Sequence, residues 1–128
     1  MTNEETATKI KKFTDLKAWQ ASRMLVKNTY RACYLFPKTE QYGLVSQMQR
    51  SSISIASNIA EGFKRDTMKD KIHFYVMSHG SLTELQNQII IAQDLQFLDE
   101  RSYDDLMTLS ERVDKLLTGL IRASKERV

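Results

Sequence analysis

The run from Tyr42 to Arg65, YGLVSQMQRSSISIASNIAEGFKR, constrains this chain more than any other stretch. Val45, Met48, Ser52, Ile55, Ile59 and Phe63 recur at steps of three and four, which puts them on one face of an α-helix. Beside that stripe lie Ser46, Ser51, Ser54, Ala56, Ser57 and Ala60, small enough to let neighbouring helices come close. Ser and β-branched residues are mediocre helix formers, so packing must hold the segment where propensity does not. Such a helix belongs in the middle of an assembly, touched on several sides. Gly62, near its end, predicts either a left-handed cap or a close contact.

The flanking segments supply the partners. One proline and four glycines in 128 residues are too few for a sheet protein with many tight turns. A first helix is expected from about Asp15 to Leu35, N-capped by Thr14, with Asp15 favouring its dipole and Phe13 stapling a later apolar residue. It stops before Pro37. Its apolar residues form two stripes, Leu16, Trp19, Val26, Tyr30 and Cys33 beside Ala18, Leu25, Ala32 and Leu35. That arc is wider than one bundle core needs and implies a second buried surface. A third helix is expected from about Met68 to Gln96, capped by Thr67 with Asp70 in the acidic position of a capping box. Its inward stripe is Tyr75, Ser78, Leu82, Leu85, Ile89 and Ala92, widened by Ile72, Val76, Ile90 and Ile91. Gly80 inside it costs about 1 kcal/mol relative to Ala, justified by a close helix crossing or else plain slack. The fourth helix follows an Asp99 cap, with Leu106, Leu109, Val113, Leu116 and Leu120 as one stripe and Tyr103, Met107, Leu117 and Ile121 as another. The expected fold is all-α, an antiparallel up-down-up-down four-helix bundle over residues 13–128 behind a loosely ordered polar tail, residues 1–12.

Charge is laid out unevenly along this framework. Lys9 to Lys71 holds thirteen Lys/Arg against five acids, whereas Ile72 to Val128 holds six against nine. On the first helix Arg23, Lys27 and Arg31 follow one another at i+4 with no acid between them, at a repulsive cost of a few tenths of a kcal/mol per pair. That stripe is either a solvated helix face or a track for phosphates. Lys64, Arg65 and Lys69 add basic charge at the link between the second and third helices. A lone cysteine, Cys33, excludes an internal disulfide and fits a reducing compartment. No apolar run reaches the roughly 20 residues that cross a bilayer, and the start is polar, so a cytoplasmic protein is expected, with no membrane partner.

Motifs for chemistry are missing where they would be needed. His73 and His79 are six residues apart, on different helix faces, which is not the spacing of a zinc pair. No Glu-x-x-His pair, phosphate-cradling glycine loop or G-x-S-x-G occurs. The expectation is a non-enzymatic protein with no catalytic residue, metal or cofactor. A polar set remains on the central helices, Arg50, Asn58, Glu61 and Glu84. Either Glu61 simply pairs with Arg65 at i+4 while Glu84 is solvated, or the four form a partly buried network that fixes register or oligomer specificity.

These letters also carry a resemblance. Phe13-Thr14-Asp15-Leu16-Lys17-Ala18-Trp19-Gln20, then Phe36-Pro37, Tyr42-Gly43-Leu44, Gln47 and Arg50, lead to the dense block Ser54-Ile55-Ala56-Ser57-Asn58-Ile59-Ala60-Glu61-Gly62. Gly80-Ser81-Leu82-Thr83-Glu84-Leu85 and Leu120-Ile121-Arg122 continue it. The chain resembles the bacterial four-helix-bundle family of ribosomal-RNA intervening-sequence proteins, related to the accessory variability proteins of diversity-generating retroelements. Where that family usually has a proline this chain has Ala56, so its second helix is expected to run straighter. The resemblance implies a homopentameric ring, no known catalytic activity, and, from the related branch, basic barrels that work with a reverse transcriptase and its RNA. The functional expectation is an oligomeric binding module presenting basic surface to RNA or DNA. The alternative is a protein–protein adaptor ring, scaffolding a polymerase or ribosomal component with no direct nucleic-acid contact.

Overall fold

A computed structural model describes residues 10–128; the tail expected over residues 1–12 lies, as far as residue 9, outside the described residues. Four α-helices follow one another, α1 (Lys17–Cys33), α2 (Leu44–Phe63), α3 (Met68–Asp94) and α4 (Glu100–Glu126), with 3-10 turns at Phe13–Asp15 and Lys38–Glu40. No strand occurs among the described residues. The α1–α2, α2–α3, α3–α4 and α1–α4 pairs pack side by side, making a four-helix bundle. Cross-links give the directions. Ser54 meets Ser81, Ile55 meets Ser78 and Gly62 meets Tyr75, so residues early in α2 lie against residues late in α3. His79 with Asp114 and Gln86 with Ser110 show the same antiparallel order for α3 and α4.

The α2 stripe lies where its spacing puts it. Met48, Ser52, Ile55 and Ile59 are fully buried, with Val45 and Phe63 at its partly covered ends. Leu82, Leu85 and Ile89 of α3, Leu25 of α1, and Val113 and Leu117 of α4 complete the sealed centre. Buried serines replace larger side chains at the contacts and satisfy themselves on backbone carbonyls. Ser22 donates to Trp19 O (2.7 Å), Ser52 to Gln49 O (2.9 Å) and Ser110 to Met107 O (2.8 Å). Ser78 reaches across to Ile55 O of α2 at 2.7 Å, a bond possible only because both helices carry small residues there. Cys33 is buried in the core, and burial pushes its thiol up to about 11, away from thiolate chemistry.

Some local expectations need correction. Thr14 does not cap α1: it sits inside the 3-10 turn, and Leu16, in extended geometry, precedes the helix without a side-chain cap. Asp15 turns backward instead, its Oδ2 accepting from the Lys11 and Lys12 amides at 2.9 and 3.0 Å, which holds its carboxyl below the usual carboxylate range. Phe13 does act as a staple, edge-on to Trp19 at 5.4 Å. At the other end α1 stops at Cys33, and Tyr34, Leu35 and Phe36 donate three residues back as the turn tightens. The tightening rotates Leu35 out of its expected inward stripe, leaving it 79% exposed. The caps Thr67 and Asp99 are as expected, accepting from Asp70 N (3.1 Å) and Ser102 N (2.7 Å). The third helix ends at Asp94, two residues before the expected Gln96. Val76, Ile90 and Ile91, expected to widen its inward stripe, are exposed instead, because at about 100° per residue they turn away from Leu82, Leu85 and Ile89. Gln96 adopts φ 63°, with its N–H on Gln93 O and Phe97 N–H on Ala92 O, a left-handed stop. Gly62 is not left-handed; it is the close-contact site. Gly80 meets nothing within 4 Å of where a Cβ would stand, so within one protomer it is slack. The helix α2 passes uninterrupted through Ala56.

Candidate nucleic-acid interface

Helical geometry decides what α1 presents. Its inward face, Ala18, Ala21, Ser22, Leu25, Thr29 and Cys33, is buried, which turns Arg23, Lys27 and Arg31 to solvent. All three are exposed, and none is ion-paired among the described residues, where the pairs are Glu61–Arg65 and His79–Asp114. The Arg23 guanidinium lies 5.5 Å from the centre of the Trp19 ring, a contact that leaves its charge available. Arg23 and Lys27 edge a groove of about 400 Å³ between α1 and α2, lined by Phe13, Trp19, Val26, Ile53, Ala56 and Ala60 among others. Arg31 lines a different groove, against α4, that also holds Asp105.

The second basic group is less uniform. Lys64, Arg65 and Lys69 are exposed around the α2–α3 link. Arg65 is committed elsewhere, 2.9 Å from Glu61 and stacked 4.3 Å over Phe74. Nearby Lys71 donates to the Phe63 carbonyl at the end of α2 and lies over the Phe63 ring. Its charge serves the helix C-terminus, as a helix dipole favours.

The polar residues of the central helices separate. Glu61 takes the i+4 pairing with Arg65. Asn58 donates to Ser54 O and Ser54 Oγ, and that hydroxyl meets Ser81 Oγ at 2.8 Å across the α2–α3 contact. Arg50 and Glu84 are both exposed, yet they line one groove of about 440 Å³ with Gln47, Ser51, Ser54, Ser81 and Gln88. Gln88 is buried there, with its Oε1 lacking a hydrogen-bond partner. The sequence groups Arg50 with Glu84, but not with Gln47, Ser51, Ser81 or Gln88, because the groove walls come from two helices, over residues 47–54 and 81–88.

His79 Nε2 contacts Asp114 Oδ1 at 2.8 Å, joining α3 to α4, and Thr118 Oγ1 donates to the same oxygen at 3.2 Å. His73 sits edge-on to Phe74, away from that pair. No helix among the described residues is long and apolar enough to cross a membrane.

Comparison with known proteins agrees with the architecture. A crystal structure of a protein of unknown function from the S23 ribosomal protein family of Bacteroides thetaiotaomicron is similar in fold, with TM-score 0.74 at 19% sequence identity. The match covers 81% of this chain and 97% of that one. A search of curated proteins found no match. Residues 14–119 match the family described as 23S rRNA-intervening sequence protein, and neither description names an enzymatic activity. With most of its length inside that match, the chain belongs to the 23S rRNA-intervening sequence protein family.

Proposed function

We propose that this protein is a non-enzymatic, oligomeric binding module of the cytoplasm that presents basic surface to RNA or DNA. The observation that carries the reading is the α1 stripe: three exposed cations on successive turns, none ion-paired among the described residues. Such a stripe meets phosphates as a sequence-independent electrostatic surface. Assembly into a ring, for which the family resemblance suggests a homopentamer, would repeat the stripe and multiply its field by symmetry. Lys64 and Lys69 extend the surface, Arg65 less so because Glu61 already holds it. A reverse transcriptase acting on the bound nucleic acid is the protein partner this reading accommodates.

Electrophoretic mobility shift at low salt tests it, with structured RNA and duplex DNA as probes. The expected result is retardation that weakens steeply with salt, and loss of it in Arg23→Glu/Lys27→Glu/Arg31→Glu. No retardation of either probe by the unaltered protein rejects the reading.

One observation favours the adaptor reading instead. The outer face of α3 exposes Val76, Met77, Ile90 and Ile91, and the chain has no Lys or Arg between Lys71 and Arg101. An apolar face of that kind suits a protein contact, a second copy or a scaffolded partner. Under that reading the stripe variant would leave capture of the protein partner intact.

A further inference from the structure

The end of the bundle where α1 turns into α2 carries large side chains that the fold does not use. Tyr34 is 84% exposed and Tyr42 is 90% exposed, whereas Tyr75 in the core is 2% exposed. Tyrosine normally buries most of its ring, so two bare rings on one link call for an occupant. Tyr34 also has a defined place. It follows the last residue of α1 with helical angles, φ −59° and ψ −28°, so the geometry of α1 extends through it. Arg23, Lys27, Arg31 and Tyr34 therefore share one face, within an arc of about 80° and along roughly 16 Å of helix. The line of cations ends in an aromatic ring.

Beyond that ring lies a groove of about 390 Å³. Tyr30, Tyr34, Pro37, Lys38 and Gln41 form part of its lining. Two acids lie close by. Glu40 accepts from Leu44 N through Oε1 at 3.3 Å, which ties its carboxylate to the start of α2. Asp105 of α4 shares the α1–α4 groove with Arg31, on the other side of the stripe. The Tyr34–Lys38 side thus keeps its basic character.

We infer that the α1–α2 link is a stacking site for unpaired nucleobases, with Tyr34 and Tyr42 as the platforms and Arg31 and Lys38 holding the flanking phosphates. A continuous duplex hides the faces of its bases in its own stack, so exposed rings beside a phosphate track select single strands, loops and ends. Every base has a π-face, so the site is tolerant of sequence. The inference rests on the nucleic-acid reading and goes further, because that reading alone predicts no preference between single strands and duplexes.

Fluorescence anisotropy with labelled 20-nucleotide RNA, DNA of the same sequence, the matching RNA duplex and an abasic strand of equal length tests it. The unaltered protein is expected to hold both single strands more tightly than the duplex, and the abasic strand no better than the duplex. Tyr34→Ala/Tyr42→Ala should weaken single-strand binding about 10–100-fold and leave duplex binding unchanged. Tyr34→Phe/Tyr42→Phe should bind as the unaltered protein does, since the ring is kept. The abasic comparison needs no variant to fold. Equal affinity for abasic and normal strands, or an alanine variant that loses nothing, overturns the stacking site while leaving the basic stripe standing. Failure of the unaltered protein to bind any probe overturns both.

Discussion

At Gly62 a methyl group has nowhere to go. A Cβ there would stand 2.8 Å from Tyr75 Cε1 and 3.0 Å from Phe74 Cβ, inside van der Waals contact with a core ring and a helix side-chain base. Gly62→Ala is therefore expected to force α2 and α3 apart and cost about 1–3 kcal/mol, read as a lower urea midpoint. Gly80 is the counterexample. Nothing lies within 4 Å of its absent Cβ, so Gly80→Ala should raise stability by about 0.5–1 kcal/mol through the reduced entropy of the unfolded helix. A loss there in place of a gain would show that the outer face of α3 is packed against something in solution. These two residues also mark the limit of reading letters. Each glycine allows two explanations in the sequence, cap or contact for Gly62, crossing or slack for Gly80. The choice depends on what another helix places opposite, which no local pattern encodes.

At the level of the helices, periodic stripes were legible and ends less so. Tyr75, Ser78, Leu82, Leu85, Ile89 and Ala92 are all buried because a long helix gives its period many turns to declare itself. Thr14 misled because Asp15 beside it reaches two amides of the preceding turn, a competition that propensity does not weigh. The candidate site divides the same way. Exposure of Arg23, Lys27 and Arg31 follows from spacing, but the engagement of Arg65 by both Glu61 and Phe74 depends on α3 packing across the link. The caps also carry a pH signature. Hydrogen bonds from Ser102 lower the Asp99 carboxyl below its ordinary value of 3.8, so its folded form holds the proton less tightly than its unfolded form. Its stabilising contribution is present above the ordinary value and is lost as pH falls through the lower, folded one. The Asp99 contribution to thermal melts should therefore fall away below about pH 4. Asp99→Ala should melt lower at neutral pH and show a shallower acid decline; coincident acid slopes would mean that this cap is not a source of the pH dependence.

Over the whole molecule, the side-by-side order of the helices has a kinetic consequence. Three of the four helix contacts join neighbours along the chain, through links at residues 34–43, 64–67 and 95–99, and just one, α1 with α4, must be brought together from opposite ends. Antiparallel hairpins of that kind lose little chain entropy before their contacts form, so such topologies belong with fast folders, in microseconds to milliseconds. Stopped-flow refolding from urea, followed by Trp19 fluorescence, should therefore give a first-order rise near or inside the instrument dead time, the same at every protein concentration. Self-association would add a later phase that quickens as the protein is concentrated. A protomer that takes seconds to fold at high dilution would contradict this picture. If it folds as its topology dictates, each newly made chain reaches its bundled form long before it meets another copy, and any ring is built from finished parts.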